Sequence, residues 1–470
     1  MYKELAELAL DYALKLGAEY AEARLETHTS NSFLVKNGVT ELANFDKTIG
    51  LGVRLVVNKT LGFMAINTLD TSEIKKLIEK SYRLTKASSK LKEGVEFSHN
   101  KSYKKTYEVR EKIKLENLSI KEKLKILLDL EKEILKLKIK VPGRFLSFTD
   151  DLVEKYYINS EGSRISSKIP FLNLFYYLTV QNNNNSMQRY WQYGNTGGYE
   201  SLKKWNLNEN IINEIKAMQN TLKYGKKVPT HNLDVITSPE VTGIAVHESG
   251  GHPYEADRIF GREAAQAGES FISEKMIGKR IGSDVVNLVD DPTLPNSYGF
   301  YLYDDEGVKA RRKYLIKNGL ITEFLHNRST AATMNLKSNG SARANNYDKE
   351  VLIRMSNTFM MPGDYTKEEL FEEVKNGIYI KSFTEWNIDD LRLNQRYVGN
   401  EAYLIKNGKI LYPLRNPTIE INTPALYKSV AALSKEMEFH AASCGKGEPM
   451  QGIPVWHGGA YMLLKNIKVH

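Results

Sequence analysis

Five positions separate His247 from His252 in the stretch V-H-E-S-G-G-H-P-Y, Val246 to Tyr254, and a regular helix cannot bring both imidazoles to one place. Yet the residues before it read as a helix start. His231 to Ile236 has the pattern of a short strand, Ser238 stands as an N-cap, Pro239 takes the first helical position and Glu240 falls in the first turn. Val241, Ile244 and Ala245 give this helix an apolar face. Side chains four apart on such a helix lie about 40° apart around its axis, whereas five apart is about 140°. For both rings to serve one centre, the helix must distort between them. A π-bulge does this, and such bulges concentrate at functional sites. Gly250 and Gly251 make the distortion cheap, and Pro253 discourages a return to regular helix.

The chemistry of the stretch gives that distortion a purpose. His247 and His252 supply neutral nitrogen ligands, and Glu248 between them supplies a carboxylate able to move a proton from water. The competing reading is two helix histidines bonded to backbone or carboxylates. The single cysteine, Cys444, lies in A-A-S-C-G-K-G-E-P-M-Q-G, where Gly445 and Gly447 predict an unhindered, flexible turn. A lone cysteine is often an inert buried thiol, but Lys446 beside it would favour the thiolate, the ligand form. His247, His252 and Cys444 together make a three-ligand set with an open fourth position, the pattern of a catalytic zinc site. Glu255 and Asp257 are candidates for hydrogen-bonding the histidines from behind.

Beyond the H-E-S-G-G-H stretch, Asp305-Glu306-Gly307, Tyr314 to Gly319, Ser338 to Arg343, Arg354 to Thr358, Pro362-Gly363, Gly377 to Ile380, Tyr403 to Gly408 and Cys444-Gly-Lys446 form a series of blocks over about half the chain. In these the sequence resembles the TldD/PmbA family of metalloproteases, specifically its TldD-type, motif-bearing member. The resemblance implies a zinc ion held by His247, His252 and Cys444, with Glu248 as catalytic base. It also implies unfolded peptide substrates in a closed cavity, and a homodimer or a heterodimer with a motif-less paralogue. One departure stands out: the family's glycine-rich ending is replaced by Trp456-His457-Gly458-Gly459. His457 is expected to be a surface or satisfied histidine.

The remainder predicts an α+β fold: a mixed domain of antiparallel strands and helices over 1–224, then a β-rich domain over 231–470 that carries the motif helix. The segment 224–230 (Y-G-K-K-V-P-T) reads as the linker. Asn37-Gly38 and Asn58-Lys59 mark hairpins, Asp70 with Glu73 and Ser119 with Glu122 mark helix starts, and two copies of Y-L-I-K-N-G, at 314–319 and 403–408, read as strand and type I′ turn. Separate strands are expected at 144–148, 153–158 and 171–180, a loop over 261–268 and a short helix over 269–277. Asp304-Asp305-Glu306 reads as a turn with solvated carboxylates, or as a second metal site or a site-lining network, and Asn345 to Asp348 as a loop able to rim a cavity.

Composition bounds the function. No stretch of about 18 apolar residues exists, so no transmembrane helix is expected. One cysteine excludes an intrachain disulfide, and a cytoplasmic location is the simplest expectation. The net charge of +9 could signal nucleic acid, but the lysines are spread over helix surfaces and no nucleic-acid-binding motif is present, so no specific nucleic-acid partner is expected. Two other classes stay open: a non-catalytic, metal-stabilised adaptor or partner subunit, and a modulator acting near nucleic acid through its basic surface.

Overall fold

The computed structural model describes residues 2–91, 94–229, 231–263 and 268–470. Two sheets organise it, and the predicted α+β class holds. The first is a seven-stranded sheet of long strands, in the order Thr60–Ile66, Val39–Val57, Tyr20–Lys36, Lys140–Asn159, Arg164–Asn182. This last strand then serves two partners: Lys104–Glu108 runs parallel to its first part, and Asn185–Thr196 antiparallel to its second. The local signals explain the turns. Asn37, Gly38, Asn58 and Lys59 all take positive φ at the hairpin tips. Asp70 accepts from the amides of Ser72 and Glu73 at the start of the helix Thr71–Ser88, and Ser119 with Glu122 closes a reciprocal cap on Ile120–Leu135. Lys3–Lys15 and Thr71–Ser88 bury Leu5, Leu10, Ile74 and Ile78 against one end of the sheet. Ile120–Leu135 and Leu207–Tyr224 bury Leu127, Ile134, Ile211 and Ile215 against the other.

One expectation fails here. Residues 144–148 and 153–158 belong to one unbroken strand, Lys140–Asn159. The polar Asp150-Asp151 between them resembles a turn in sequence. In the fold Asp150 is 1% exposed and forms an ion pair with Lys123 at 2.8 Å, so a buried partner from another element holds that carboxylate inside a strand, and Asp151 Oδ2 lies 3.0 Å from His28 Nδ1.

The second sheet has fourteen strands around a spine, Gln451–Val469. The spine pairs antiparallel with Val430–Lys446, His231–Thr237 and Thr418–Asn422, and parallel with Asn357–Met360. Both Y-L-I-K-N-G copies form the expected turns, with positive φ at Asn318-Gly319 and Asn407-Gly408. Lys226–Lys227, within the expected linker, adds a two-residue strand to this sheet. The expected helix over 269–277 reduces to a single 3-10 turn, Glu274–Met276. Of the expected loop over 261–268, residues 264–267 lie outside the described residues. No helix among the described residues is long and apolar enough to cross a membrane.

The acidic triplet is not solvated: other parts of the fold hold its carboxylates, and Asp304 and Asp305 line a cavity. Asp304 accepts from the backbone amides of Glu306, Val308 and Ala342. Asp305 takes Lys155 Nζ at 3.0 Å, and Glu306 takes Arg54 Nη1 at 3.0 Å. Lys155 and Arg54 come from the first sheet, so the triplet is a buried joint between the two sheets. Burial first, and then Glu306, push the Asp304 carboxyl well above its ordinary range.

Candidate metal centre

The motif helix is short and rigidly held. Pro239–Val246 is α-helical, and Ser238 Oγ accepts from the Val241 amide at its start. Glu240 in its first turn accepts two hydrogen bonds from Arg189, both at 2.9 Å, and so ties the helix to the first sheet. The other face lies on the spine strand, where Gly243 comes so close that a Cβ would sit 2.4 Å from His457 Nδ1 and 2.7 Å from the Gly458 amide. The helix then widens: His247–Gly251 is one π-helical turn, followed by a 3-10 turn, His252–Tyr254. The extra residue required by the five-residue spacing is taken up there. Gly250 and Gly251 are needed for packing as well as for bending, since a Cβ on Gly251 would fall 1.8 Å from Met355 Sδ and one on Gly250 2.4 Å from the Tyr427 hydroxyl.

The π-turn brings the three candidate ligands together. Donor atoms of His247, His252 and Cys444 all lie within 4.8 Å of one another, and all three residues are buried. The two imidazole rings meet edge to face at 5.0 Å. Cys444 does not sit on a flexible turn. It lies in the strand Val430–Lys446, opposite Ile453 of the spine, and its carbonyl accepts from the fully buried Arg354, which also donates to the Gln451 carbonyl at 3.0 Å. Gly445 and Gly447 lie at the end of that strand, where the sequence signal of a turn belongs. Burial pushes the Cys444 thiol up, but His252 and Arg354 outweigh it and bring the thiol down to about 7.

Lys446 acts elsewhere than expected. Its fully buried ammonium bonds Asp257 at 2.7 and 2.8 Å and the Ile353 carbonyl at 2.9 Å, and it lies 3.3 Å from Glu255. Glu255 in turn bonds His252 Nδ1 at 3.0 Å and Arg258 Nε at 2.6 Å. Although burial opposes it, Lys446, His252 and Arg258 hold the Glu255 carboxyl well below its ordinary range. A carboxylate on Nδ1 fixes the tautomer of His252 and leaves Nε2, 3.5 Å from the Cys444 sulfur, as the nitrogen able to face a metal. Of the two acidic candidates, Glu255 therefore supports a histidine directly and Asp257 acts one step back, through Lys446.

Glu248 is buried beside the cluster, 2.6 Å from Arg392 Nη1. Burial raises its carboxyl, and His252, His247 and Arg392 together pull it below the ordinary value. His457 is neither at the surface nor satisfied. It is 3% exposed, its Nδ1 has no hydrogen-bond partner, and its ring lies 6.1 Å from that of His247. Sequence reasoning missed Arg392, Arg354 and Arg258. Arg258 directly follows the candidate Asp257 and Arg354 stood in a singled-out block, but only the fold shows what each guanidinium touches.

A cavity of about 540 Å³ opens between the first sheet and the spine hairpin. His28, Asp151, Lys155, Asp305 and Arg343 contribute charge to its wall, and Gly452, Ile453 and Pro454 form the side next to Cys444. Asn345 and Asn346 line it, as their loop position implied.

A buried cluster of two imidazoles and a thiol with a carboxylate alongside suits a metallopeptidase, and it is comparison with known proteins that places the chain in that class. Three domain models of the PmbA/TldA metallopeptidases match in order: domain 1 at residues 21–85, the central domain at 113–221 and the C-terminal domain at 230–470. A metalloprotease of Methanocaldococcus jannaschii is 31% identical over 453 residues, 96% of each chain. A protein of Saccharolobus solfataricus described as a zinc metalloprotease TldD homolog is 29% identical over 466 residues, 97% of this chain and 98% of that one. The crystal structure of TldE from Thermococcus kodakarensis superposes with a TM-score of 0.75 at 17% identity, over 99% of each chain, which speaks for the fold. The chain belongs to the PmbA/TldD metallopeptidase family.

Proposed function

We propose that this chain is a zinc-dependent peptidase that hydrolyses unfolded peptides, with His247, His252 and Cys444 as metal ligands and Glu248 as general base. One observation carries the reading: a π-turn spends its extra residue to gather two imidazoles and a thiol within 4.8 Å, and the same turn sets a buried carboxylate beside them. The donor set suits zinc, since imidazole and thiolate are both good zinc ligands and three protein ligands leave a position open. Zinc held there supplies Lewis-acid activation of a carbonyl and of water. The chain's own residues do the rest. Glu248 takes a proton from the attacking water and passes it to the departing amine as the C–N bond breaks. Glu255, anchored by Lys446 and Arg258, holds His252 in register. A thiolate donates more charge than a third imidazole would, which favours modest turnover.

Two features support the rest of the proposal. The cavity bordered by Ile453, the strand partner of Cys444, is lined by none of His247, Glu248, His252 and Cys444; it falls in the size range of small-molecule and cofactor sites and suits a short extended segment better than a folded domain. For a dimer, with a second copy or a motif-less paralogue, the support is the overhanging hairpin. Residues 39–47 are exposed, including Val39 at 62%, Leu42 at 44% and Phe45 at 57%, and an apolar, open strand edge is a surface that another chain covers.

The test is metal content and cleavage of an unstructured peptide by wild type, Cys444→Ala and Glu248→Gln. About one zinc per chain in wild type and Glu248→Gln, loss of zinc in Cys444→Ala, and cleavage by wild type alone are expected. A Glu248→Gln variant as active as wild type would remove the base and favour the adaptor reading. Zinc retained by Cys444→Ala would break the ligand assignment.

A further inference from the structure

Twelve residues other than glycine take positive φ among the described residues, and ten of them are asparagines, the side chain best suited to it. The two exceptions are Lys59, exposed in a hairpin turn, and Arg392, at φ 61°. Arg392 is 9% exposed. Its turn is fixed on every side: its amide donates to the Asp389 carbonyl at 3.0 Å, its carbonyl accepts from Thr423 Oγ1 at 3.1 Å, and Asp389 Oδ1 accepts from the next amide, Leu393, at 2.7 Å. A buried arginine held in the left-handed region, where glycine or asparagine is unstrained, marks a place where the guanidinium itself is needed. It ends 2.6 Å from Glu248.

We propose that Arg392 is a catalytic residue of the peptidase, the donor that stabilises the oxyanion formed when water adds to the scissile carbonyl. The assignment rests on the peptidase reading. In that reaction water bonds to the carbonyl carbon, Glu248 takes its proton, and the former carbonyl oxygen gains the negative charge. As the intermediate collapses, the oxygen's electron pair re-forms the C=O bond, the C–N bond breaks, and the nitrogen leaves as the amine with the proton that Glu248 returns. A base must come within about 3 Å of the attacking water, and a guanidinium 2.6 Å from that base is near enough to reach the carbonyl that the water attacks. Arginine is suited to bridging the two, because its donors spread over a rigid planar fork and its charge persists at every working pH. Removing one oxyanion donor from an enzyme typically lowers kcat by about 10² to 10³.

The test uses the full-length zinc-loaded protein, an unstructured peptide, and a phosphinic peptide with blocked termini whose PO₂⁻ group mimics the tetrahedral oxyanion. Wild type, Arg392→Gly, Arg392→Lys and Glu248→Gln are compared by kinetics, calorimetric binding, zinc content and thermal midpoint. Expected are a kcat lowered about 100-fold or more in Arg392→Gly with KM within about threefold, and phosphinic-peptide affinity lowered by a similar factor. Arg392→Lys should be intermediate, with zinc content and midpoint as in wild type, and Glu248→Gln should bind the phosphinic peptide nearly as tightly as wild type. If Arg392 only orients Glu248, kcat falls while the phosphinic affinity of both arginine variants stays at the wild-type value, and the proposal is overturned. Unchanged kcat in Arg392→Gly overturns it too. A wild type that cleaves no peptide and binds no phosphinic peptide overturns the peptidase reading, and this assignment with it.

Discussion

Replacing Gly243 by alanine sets two effects against each other, and the structure says which wins. Alanine in a helix interior is favoured over glycine by about 1 kcal/mol, so sequence alone predicts stabilisation. But the added Cβ would lie 2.4 Å from His457 Nδ1, 2.7 Å from the Gly458 nitrogen and 2.8 Å from its Cα. Two of these neighbours are backbone, and the spine strand has no room to retreat, since Gly458 itself packs so tightly that its own Cβ would fall 2.1 Å from the Glu438 carbonyl. Overpacking costs about 1–3 kcal/mol, and a clash with pinned backbone belongs at the upper end. The net expectation is destabilisation by about 2 kcal/mol, or about 4–8 °C in midpoint for a unit of some 240 residues. Scanning calorimetry on metal-free wild type and Gly243→Ala measures it. In a double-mutant cycle with His457→Gly, which removes the contact with the imidazole but not those with Gly458, Gly243→Ala should cost about 1 kcal/mol less in the His457→Gly background than in wild type. A single variant as stable as wild type, or more so, would show that the helix is not seated on the spine as described.

Other expectations follow from single side chains. Asp151 and Glu26 overcome the burial of His28 and raise its pKa to about 9. Its contribution to stability is therefore full below about 6.5 and is lost as pH rises through about 9; it amounts to at most about 3 kcal/mol, and His28→Gln should flatten that part of the stability–pH curve. Glu255→Gln should weaken zinc binding by about 10- to 100-fold in a chelator competition while leaving the three ligands in place. Arg189→Ala leaves Glu240 at the motif helix without its bidentate partner; about 3–5 kcal/mol of stability should be lost, read as an earlier denaturation midpoint.

The sequence carried the local part of this site and little of the distant part. A five-residue gap between histidines, with two glycines inside it, was enough to call for a π-turn between 247 and 251, because helix geometry admits few other solutions. Caps at Asp70, Ser119 and Ser238 and hairpins at Asn37, Asn318 and Asn407 were legible for the same reason: each depends on residues within four positions. What failed depended on partners far along the chain. Asp150 looks like a turn residue until Lys123 is placed against it. Lys446 looks like the thiol's companion until Asp257 and Glu255 are brought to it. The triplet 304–306 looks solvated until Arg54 and Lys155 arrive from the other sheet. Cys444 does lie beside His247 and His252, but on a strand and not on a turn, because a strand that ends in glycines reads as a turn from one side only. Arg392 left no sequence signal, since its strain appears only as a backbone angle.

The 192 residues between His252 and Cys444 also impose an order in time. At about 5–20 residues per second of synthesis, the two histidines leave the ribosome roughly 10 to 40 s before the thiol that completes their set. During that interval the motif helix has no spine strand to lie on, and a metal ion meets at most a pair of imidazoles. A nascent chain is itself an unfolded peptide, the kind of molecule proposed here as substrate. On the proposed ligand set, a centre whose third donor comes last would not cut neighbouring nascent chains before its own fold has closed around it.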